Sequence, residues 1–204
     1  MNVLIIDYGM GNLGSISRFL QECGANVFIS NDPKDLCSAE KIILPGVGSF
    51  GGGINNLRKL GFIDPLAIEV KKNKIPLLGI CLGMQLLANV GTEGVVCKGL
   101  GFISGRVEKL EKQNEKESVP HVGWNEIHIK KESELFKNIP NKSDFYFVHS
   151  YHFVPANNNG ILTVTPYCGQ IISSVNCENI YGVQFHPEKS VPWGFELVKN
   201  FLNL

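Results

Sequence analysis

Cys81 lies at the point of the sequence best suited to nucleophilic chemistry. Gly79 stands two residues before it and Gly83 two residues after it, which is the Gly-x-nucleophile-x-Gly pattern with cysteine in place of serine. The flanking apolar residues predict a short strand that turns sharply into a helix at Cys81, an arrangement we call the elbow. Amides of the first helical turn would favour the thiolate. The alternative is a structural cysteine, because free cysteine is among the most buried residue types.

His186 and Glu188 are the residue types that a cysteine nucleophile needs as base and orienting acid. They stand two residues apart after an apolar run, so an extended chain would project both side chains from one face. Pro187 fixes its own φ and favours an extended His186. The imidazole could then face a nucleophile while the carboxylate holds its second nitrogen. The alternative is a surface pair at the end of a strand.

A glycine-rich segment over residues 45–50 (PGVGSF) follows a predicted strand. Glycine lets the backbone approach a ligand closely. Acyl transfer at Cys81 would need two N–H donors for the developing oxyanion, one from Leu82 and one from a neighbouring loop. This glycine-rich segment is the candidate for the second donor. The alternative is an ordinary loop.

No metal site is predicted, and the thiols are expected to be reduced. His149 and His152 are three residues apart on strand-like sequence, and no second close pair of ligands accompanies them. No Cys-x-x-Cys pair occurs among the cysteines, so we expect a reducing, cytoplasmic compartment and mostly inert thiols. The cysteines are Cys23, Cys37, Cys81, Cys97, Cys168 and Cys177.

The elements that must position these residues alternate between strands and helices in the first half of the chain. Near-continuous apolar runs with intervening helices predict a parallel α/β sheet. We predict one domain over residues 1–204, with a central, mostly parallel sheet flanked by helices and a β-rich second half. The predicted strands are 2–8, 27–29, 41–44, the strand before Cys81, 102–110, 126–130, 145–149, 151–154, 161–165, 170–176 and 180–186. The predicted helices are one that ends near Gly24, pieces within 57–70 broken at Gly61 and Pro65, the elbow helix and 193–204.

The first strand is followed by Gly9-x-Gly11-x-x-Gly14, which matches the dinucleotide-binding fingerprint. Asp32 lies 18 residues beyond Gly14, where the fingerprint has its acidic residue. Glycine-rich first turns also occur where a helix simply packs on its strand. A dinucleotide-binding module is therefore an alternative from a different functional class.

Composition gives no support for nucleic-acid or membrane binding. The 204 residues carry a formal net charge of zero and no basic patch. No cationic lead precedes the first apolar run, so no signal peptide is predicted. The longest apolar window, residues 75–90, is interrupted by Gln85 and Asn89 and does not fit a membrane span.

Five ordered motifs resemble the class I glutamine amidotransferase family. Residues 45–48 (PGVG), 79–85 (GICLGMQ) and 184–188 (QFHPE) carry the family resemblance. Residues 120–125 (PHVGWN) and 146–151 (YFVHSY) are similar to the glutaminase subunits of imidazole glycerol phosphate synthases within that family. The similarity runs nearly from end to end of the chain.

The resemblance implies a glutaminase without a cofactor. Cys81 would attack the carboxamide of L-glutamine, form a γ-glutamyl thioester and release ammonia. His186 would shuttle protons and Glu188 would orient it, while amides of Leu82 and the Val47–Gly48 region hold the oxyanion. The residues that match substrate-binding positions are Gln85, Glu93, His149, Ser150 and Tyr151, the last three through their backbone.

The resemblance also implies a heterodimer with a (β/α)8-barrel synthase subunit, which uses the ammonia in histidine biosynthesis to form imidazole glycerol phosphate and AICAR. Direct delivery would keep the ammonia from protonation in bulk water. The Gly9–Gly14 turn then becomes part of a docking face. The residues expected at that interface are Asn12, Pro120, His121, Trp124, Asn125 and Lys189.

Two departures from the family pattern keep alternatives open. Val122 stands where the family commonly has methionine, and residues 94–97 (GVVC) differ from the usual acidic or glycine-rich loop. The second interpretation is a paralogous subunit that supplies ammonia for acetamidino sugars of surface glycans. The third is a cysteine hydrolase that acts on peptide-like substrates.

Overall fold

A computed structural model describes all residues from 1 to 204. Its strands are β1 (Asn2–Ile6), β2 (Asn26–Ser30), β3 (Lys41–Leu44), β4 (Leu77–Ile80), β5 (Val90–Gly91), β6 (Cys97–Lys98), β7 (Gly105–Lys109), β8 (His121–Glu126), β9 (His128–Ile129), β10 (Asp144–His149), β11 (Tyr151–Pro155), β12 (Ile161–Thr165), β13 (Ile171–Cys177) and β14 (Ile180–Val183). Its α-helices are α1 (Leu13–Glu22), α2 (Phe50–Lys59), α3 (Ile63–Ala67), α4 (Leu82–Leu86) and α5 (Trp193–Leu202). Three 3₁₀ helices (Pro33–Ser38, Glu134–Phe136, Pro187–Lys189) and a π-helical turn (Ile68–Lys72) complete the elements.

The main sheet has eight strands in the order β2-β1-β3-β4-β14-β13-β12-β9. The pairings from β2 to β14 are parallel, and those from β14 to β9 are antiparallel. Two smaller sheets, β10-β8 and β11-β7-β5-β6, come from the second half of the chain. The predicted fold class, a mostly parallel α/β sheet with a β-rich second half, is confirmed.

Strand β1 shows how the sheet is buried on both faces. Val3 and Ile5 point into one apolar cluster, whereas Leu4 and Ile6 point into the other, as the alternation of a pleated strand requires. None of the four is exposed to solvent. A sheet covered on both faces explains why its strands are continuous apolar runs instead of alternating ones.

Two predicted boundaries differ from the structure in the α2–α3 region. Residues 51–53, which precede the predicted helical pieces, form the first turn of α2, because Ser49 caps that helix and accepts a hydrogen bond from Gly52 N at 3.3 Å. Pro65 lies inside α3 instead of breaking it, since a proline in the first turn removes an N–H that has no helical partner. The break at Gly61 is present, with φ of +78°.

Strand β8 was not predicted, although it pairs with β10 from His121↔His149 to Glu126↔Asp144. Its only apolar side chains are Val122 and Trp124, which are separated by Gly123 and exposed, so it lacks the apolar run used to recognise the others. None of the helices combines the length and apolar character needed to cross a lipid bilayer.

Candidate active site

The elbow has the predicted strand-to-helix form. Strand β4 ends at Ile80, α4 begins at Leu82, and Cys81 between them has φ of 53°, a conformation that non-glycine residues rarely adopt. A Cβ on Gly83 would overlap the Leu44 carbonyl oxygen, and a Cβ on Gly79 would lie 2.7 Å from the Gly83 carbonyl oxygen. The two glycines therefore let strand and helix pack closely enough to hold Cys81 in this conformation.

The base lies beside the nucleophile because β14 pairs in parallel with β4, with Val183 opposite Ile80. The carboxyl ends of neighbouring parallel strands meet at one edge of a sheet, and Cys81 N donates to the Val183 carbonyl at 2.8 Å. His186 follows β14 by three residues. Sheet topology thus joins two residues that are more than a hundred positions apart in the chain.

His186 and Glu188 form a buried pair. His186 Nδ1 lies 2.8 Å from Glu188 Oε1, and the two side chains are 5% and 4% exposed. Burial lowers the pKa of His186, but hydrogen bonding and charge from Cys81 and Glu188 outweigh burial and raise the pKa to about 10. His186 Nε2 is buried without another hydrogen-bond partner, so this nitrogen is free for proton exchange with the sulfur.

The pair is held by a turn, and the prediction that Glu188 lies on an extended segment is wrong. His186 is extended, but Pro187 begins the 3₁₀ helix that carries Glu188, because proline suits a first helical position. Ser190 Oγ donates to the His186 carbonyl at 2.6 Å and accepts from Tyr146 N at 3.0 Å. The turn and this serine set the position of the base.

A cavity of about 420 Å³ opens beside Cys81 and is suited to a small molecule. It brings together Cys81, the three predicted oxyanion residues and the five predicted substrate-binding residues; His186 and Glu188 lie outside its lining. Ser49 and Val148 complete the wall. The lining residues are Val47, Gly48, Ser49, Cys81, Leu82, Gln85, Glu93, Val148, His149, Ser150 and Tyr151.

The predicted oxyanion donors line this cavity, but one of them is already engaged. Leu82 N donates to the Gly46 carbonyl oxygen at 3.3 Å, a long hydrogen bond. Tyr8 Oη donates to the Pro45 carbonyl at 2.6 Å and anchors the start of the segment. Gly48 has φ of +117°, and a Cβ there would lie 2.5 Å from Met10 Cε. An oxyanion would have to displace the Gly46 carbonyl from the Leu82 amide.

Gln85 and Glu93 both line the cavity. Gln85 Nε2 donates to the Tyr151 carbonyl at 2.8 Å and to Gln184 Oε1 at 3.0 Å. Glu93 Oε2 accepts from Phe50 N at 2.7 Å, at the start of α2. Both side chains are therefore fixed in direction by the protein itself.

His149 belongs to a chain of hydrogen bonds that starts at the cavity wall. His149 Nδ1 lies 2.9 Å from the Tyr151 carbonyl, and its Nε2 lies 3.1 Å from His121 Nδ1. His121 Nε2 lies 3.3 Å from Asn125 Nδ2, and the His121 ring stacks on Tyr167. Burial lowers the pKa of His149 to about 3 and that of His121 to about 4, so both rings are neutral.

The residues predicted at the partner interface differ in their exposure to solvent. His121 is buried, whereas Trp124 is 54% exposed and Pro120 is also exposed. Asn12 caps α1 by accepting from Ser15 N at 3.3 Å, and Asn125 is half-buried. The Trp124 surface, which we define as Val122, Trp124, Tyr146 and Lys189, is held by a Trp124–Tyr146 ring contact and by Lys189 Nζ 5.1 Å from the Tyr146 ring.

The Gly9–Gly14 segment packs against the glycine-rich segment of the candidate site. A Cβ on Gly11 would lie 3.7 Å from Gly46 Cα. The Asp32 carboxylate accepts from Lys34 N at 2.9 Å and so caps a 3₁₀ helix. Close packing on Gly46 accounts for Gly11, whereas a Cβ on Gly14 would meet no atom within 4 Å. Helix capping accounts for Asp32.

Sequence reasoning missed Gln184. Its side chain is fully buried, and Nε2 lies 3.6 Å from Cys81 Sγ. The available signal was a polar residue directly after the apolar strand β14, two residues before His186.

Comparisons with known proteins identify the family of this chain. The family model for glutamine amidotransferase class-I matches residues 4–203. The imidazole glycerol phosphate synthase subunit HisH of Pelagibacter ubique is 46% identical over 208 residues, with all of both chains covered. HisH 2 of Methanococcus maripaludis is 48% identical over 200 residues, covering 98% of each chain. The solved structure of PurLQS from Thermotoga maritima shares the fold, with a TM-score of 0.78 at 19% identity and coverage of 99% of this chain and 97% of that one. The chain belongs to the class I glutamine amidotransferase family.

Proposed function

We propose that this chain is the glutaminase subunit of an imidazole glycerol phosphate synthase, acting in histidine biosynthesis. The observation that carries the proposal is the buried His186–Glu188 pair placed beside Cys81 by the β4–β14 pairing. The full-length similarity to subunits named HisH supports the choice within the family.

In the proposed reaction, Cys81 Sγ, held as a thiolate beside protonated His186, attacks the carboxamide carbon of glutamine. His186 then protonates the leaving nitrogen, so that ammonia departs and a γ-glutamyl thioester remains. A water molecule, deprotonated by the now neutral His186, hydrolyses the thioester to glutamate and restores the thiolate beside protonated His186. Glu188 keeps the imidazole in the tautomer and direction that these transfers require.

The oxyanion of each tetrahedral intermediate would bind the amides of Leu82 and of Val47 or Gly48. For the Leu82 amide to serve, the long hydrogen bond to the Gly46 carbonyl must be released. Gln85 and Glu93 would hold the polar groups of the amino-acid end, together with the backbone of residues 149–151.

The proposed partner is a (β/α)8-barrel synthase subunit that consumes the ammonia. The Trp124 surface supports docking, because it exposes large apolar side chains next to a cation and adjoins the turn that holds His186. Six free cysteines support a reducing compartment, which we take to be the cytoplasm.

The test is glutamate release by the chain alone and after addition of the barrel subunit with its acceptor ligand. We expect weak activity alone and strong stimulation in the complex. Cys81→Ala should lower glutamine-dependent synthase activity by about a thousandfold or more. It should retain synthase activity when ammonium salt replaces glutamine as the nitrogen source. Full glutamine-dependent activity of Cys81→Ala would disprove the mechanism, and stimulation only by a paralogous barrel would favour the acetamidino-sugar pathway.

A further inference from the structure

We propose that Gln184 is a further catalytic residue, whose side-chain amide donates a hydrogen bond to Cys81 Sγ and holds the sulfur as a thiolate. The inference rests on the proposed role of Cys81 as nucleophile. Gln184 Nε2 lies 3.6 Å from the sulfur, within hydrogen-bond distance for N–H to sulfur, and the side chain has no exposure to solvent.

The direction of the Gln184 amide follows from its neighbours. The Tyr151 carbonyl can only accept, so the Gln85 atom 2.8 Å from it must be the NH₂ group. The same NH₂ group lies 3.0 Å from Gln184, which must therefore present its carbonyl oxygen to Gln85. The remaining arm of the Gln184 amide, the one that faces Cys81, is then the NH₂ donor.

The other contacts of the sulfur show why this donor matters. Val148 O lies 3.9 Å from Cys81 Sγ and can only accept, so it favours the protonated thiol. Cys81 is 5% exposed, and burial of an unpaired anion is costly. The elbow helix α4 has only five residues, so its dipole offers little help. Besides His186, Gln184 is the side chain that can hydrogen-bond to a negative sulfur.

The same contact links substrate binding to nucleophile activation. Gln85 lines the cavity and holds the Gln184 carbonyl, while Gln184 holds the sulfur. A substrate that contacts Gln85 is therefore linked to the sulfur through two side-chain amides, those of Gln85 and Gln184. No other buried side chain joins the substrate wall to Cys81 in this way.

The test is the rate of Cys81 alkylation by iodoacetamide in the full-length chain, read on the Cys81 peptide by mass spectrometry across pH 6 to 9.5. We expect Gln184→Met, which keeps the length but lacks the donor, to lower the rate at pH 7 about tenfold, the size of one charge-assisted hydrogen bond. The deficit should shrink toward pH 9.5, where hydroxide ionises the thiol without assistance.

Thr163→Val is the matched control, because Thr163 is equally buried and its Oγ1 bonds Ser173 and Ser174 on the far side of β13. It should lose comparable stability and alkylate at the wild-type rate. If Gln184→Met does not fold, Gln184→Asn withdraws the amide by one methylene and makes the same test.

A wild-type rate in either folded Gln184 variant would overturn the proposal, as would a deficit that is equal at every pH, because that result indicates altered access only. The readout does not require glutamine. A slowed, pH-dependent alkylation in a chain with no glutaminase activity would therefore retain this inference and refute the proposed function.

Discussion

His186 carries its proton far above the pH at which a free imidazole loses it, and this couples the charge of the site to stability. Its pKa is raised from 6.5 to about 10 in the folded chain, against the opposing effect of burial. Because the pKa of His186 is higher in the folded chain than in the unfolded chain, its protonation stabilises the native state. This stabilisation is complete below about pH 6.5 and is lost as the pH rises through about 10.

The corresponding prediction concerns the pH dependence of unfolding. Between pH 7 and 10 the free energy of unfolding should fall more steeply in the wild-type chain than in His186→Gln, measured by urea denaturation. Glu188→Gln, which removes one of the two negative partners, should give an intermediate slope. Equal slopes in all three proteins would contradict a raised pKa of His186 in the folded chain.

Among single residues, those that could be predicted from the sequence are the ones whose type alone indicates chemistry. Cys81, His186 and Glu188 were predicted because a nucleophile, a base and an acid stand in recognisable local patterns, and the structure brings the three together. Gln184 was not predicted, because its importance depends on contacts with Gln85 and Cys81, 99 and 103 positions away.

The elbow requires glycine at positions 79 and 83, where a side chain would meet neighbouring backbone atoms. We expect Gly83→Ala to destabilise the chain by about 3 kcal/mol or more, because its methyl group would meet the Leu44 carbonyl on a rigid neighbouring strand. Urea denaturation with activity measurement checks this.

Gly14→Ala is the matched control for that substitution. Gly14 lies in α1 with no atom within 4 Å of a built Cβ, so alanine should stabilise the helix by about 0.5–1 kcal/mol. If Gly83→Ala proved as stable as Gly14→Ala, the close packing of elbow and β3 would be disproved.

The β8–β10 pair should make the chain sensitive to acid. His121 and His149 face each other across this pair, with pKa values lowered by burial to about 4 and about 3. A lowered histidine pKa means that the unfolded chain binds more protons, so stability falls as the pH drops below about 6.5. Each ring should cost about 2 kcal/mol at pH 5 relative to pH 7.5.

Denaturation of His121→Gln at the two pH values measures that cost. The variant should be less stable than the wild type at pH 7.5 but should lose about 2 kcal/mol less on acidification. Thr163→Val, which loses buried hydrogen bonds without losing a titrating group, should keep the wild-type pH dependence. The same pH dependence in His121→Gln would contradict a buried, neutral His121.

Elements with an apolar signal were predicted well, and those without one were not. The strands of the main sheet and helices α1 and α5 follow the periodicity of their buried residues. Strand β8 was not predicted because it has no continuous apolar run. The first turn of α2 was not predicted because it contains three consecutive glycines, which are typical of a loop. In both cases tertiary pairing or capping decides a structure that local propensity does not favour.

For the whole molecule, the proposal of a docked partner predicts that stimulation depends on the Trp124 surface. Trp124→Ala should weaken binding of the barrel subunit by about 2 kcal/mol, since an exposed tryptophan is a frequent anchor of an interface. Titration of glutaminase activity with the barrel subunit measures the effect.

The control for that substitution is Val95→Ala, which removes another highly exposed apolar side chain in the loop between β5 and β6. It should titrate like the wild type, and both variants should retain the weak activity of the chain alone. Unchanged titration of Trp124→Ala would move the docking site elsewhere.

The pairing of β4 with β14 also has a consequence for synthesis on the ribosome. The nucleophile is made early, but its base and orienting acid lie within the last nineteen residues of the chain. A growing polypeptide therefore carries an inert thiol until its final strand has left the exit tunnel and inserted between β4 and β13. A chain truncated before β14 would therefore carry Cys81 without its base and should not release glutamate from glutamine.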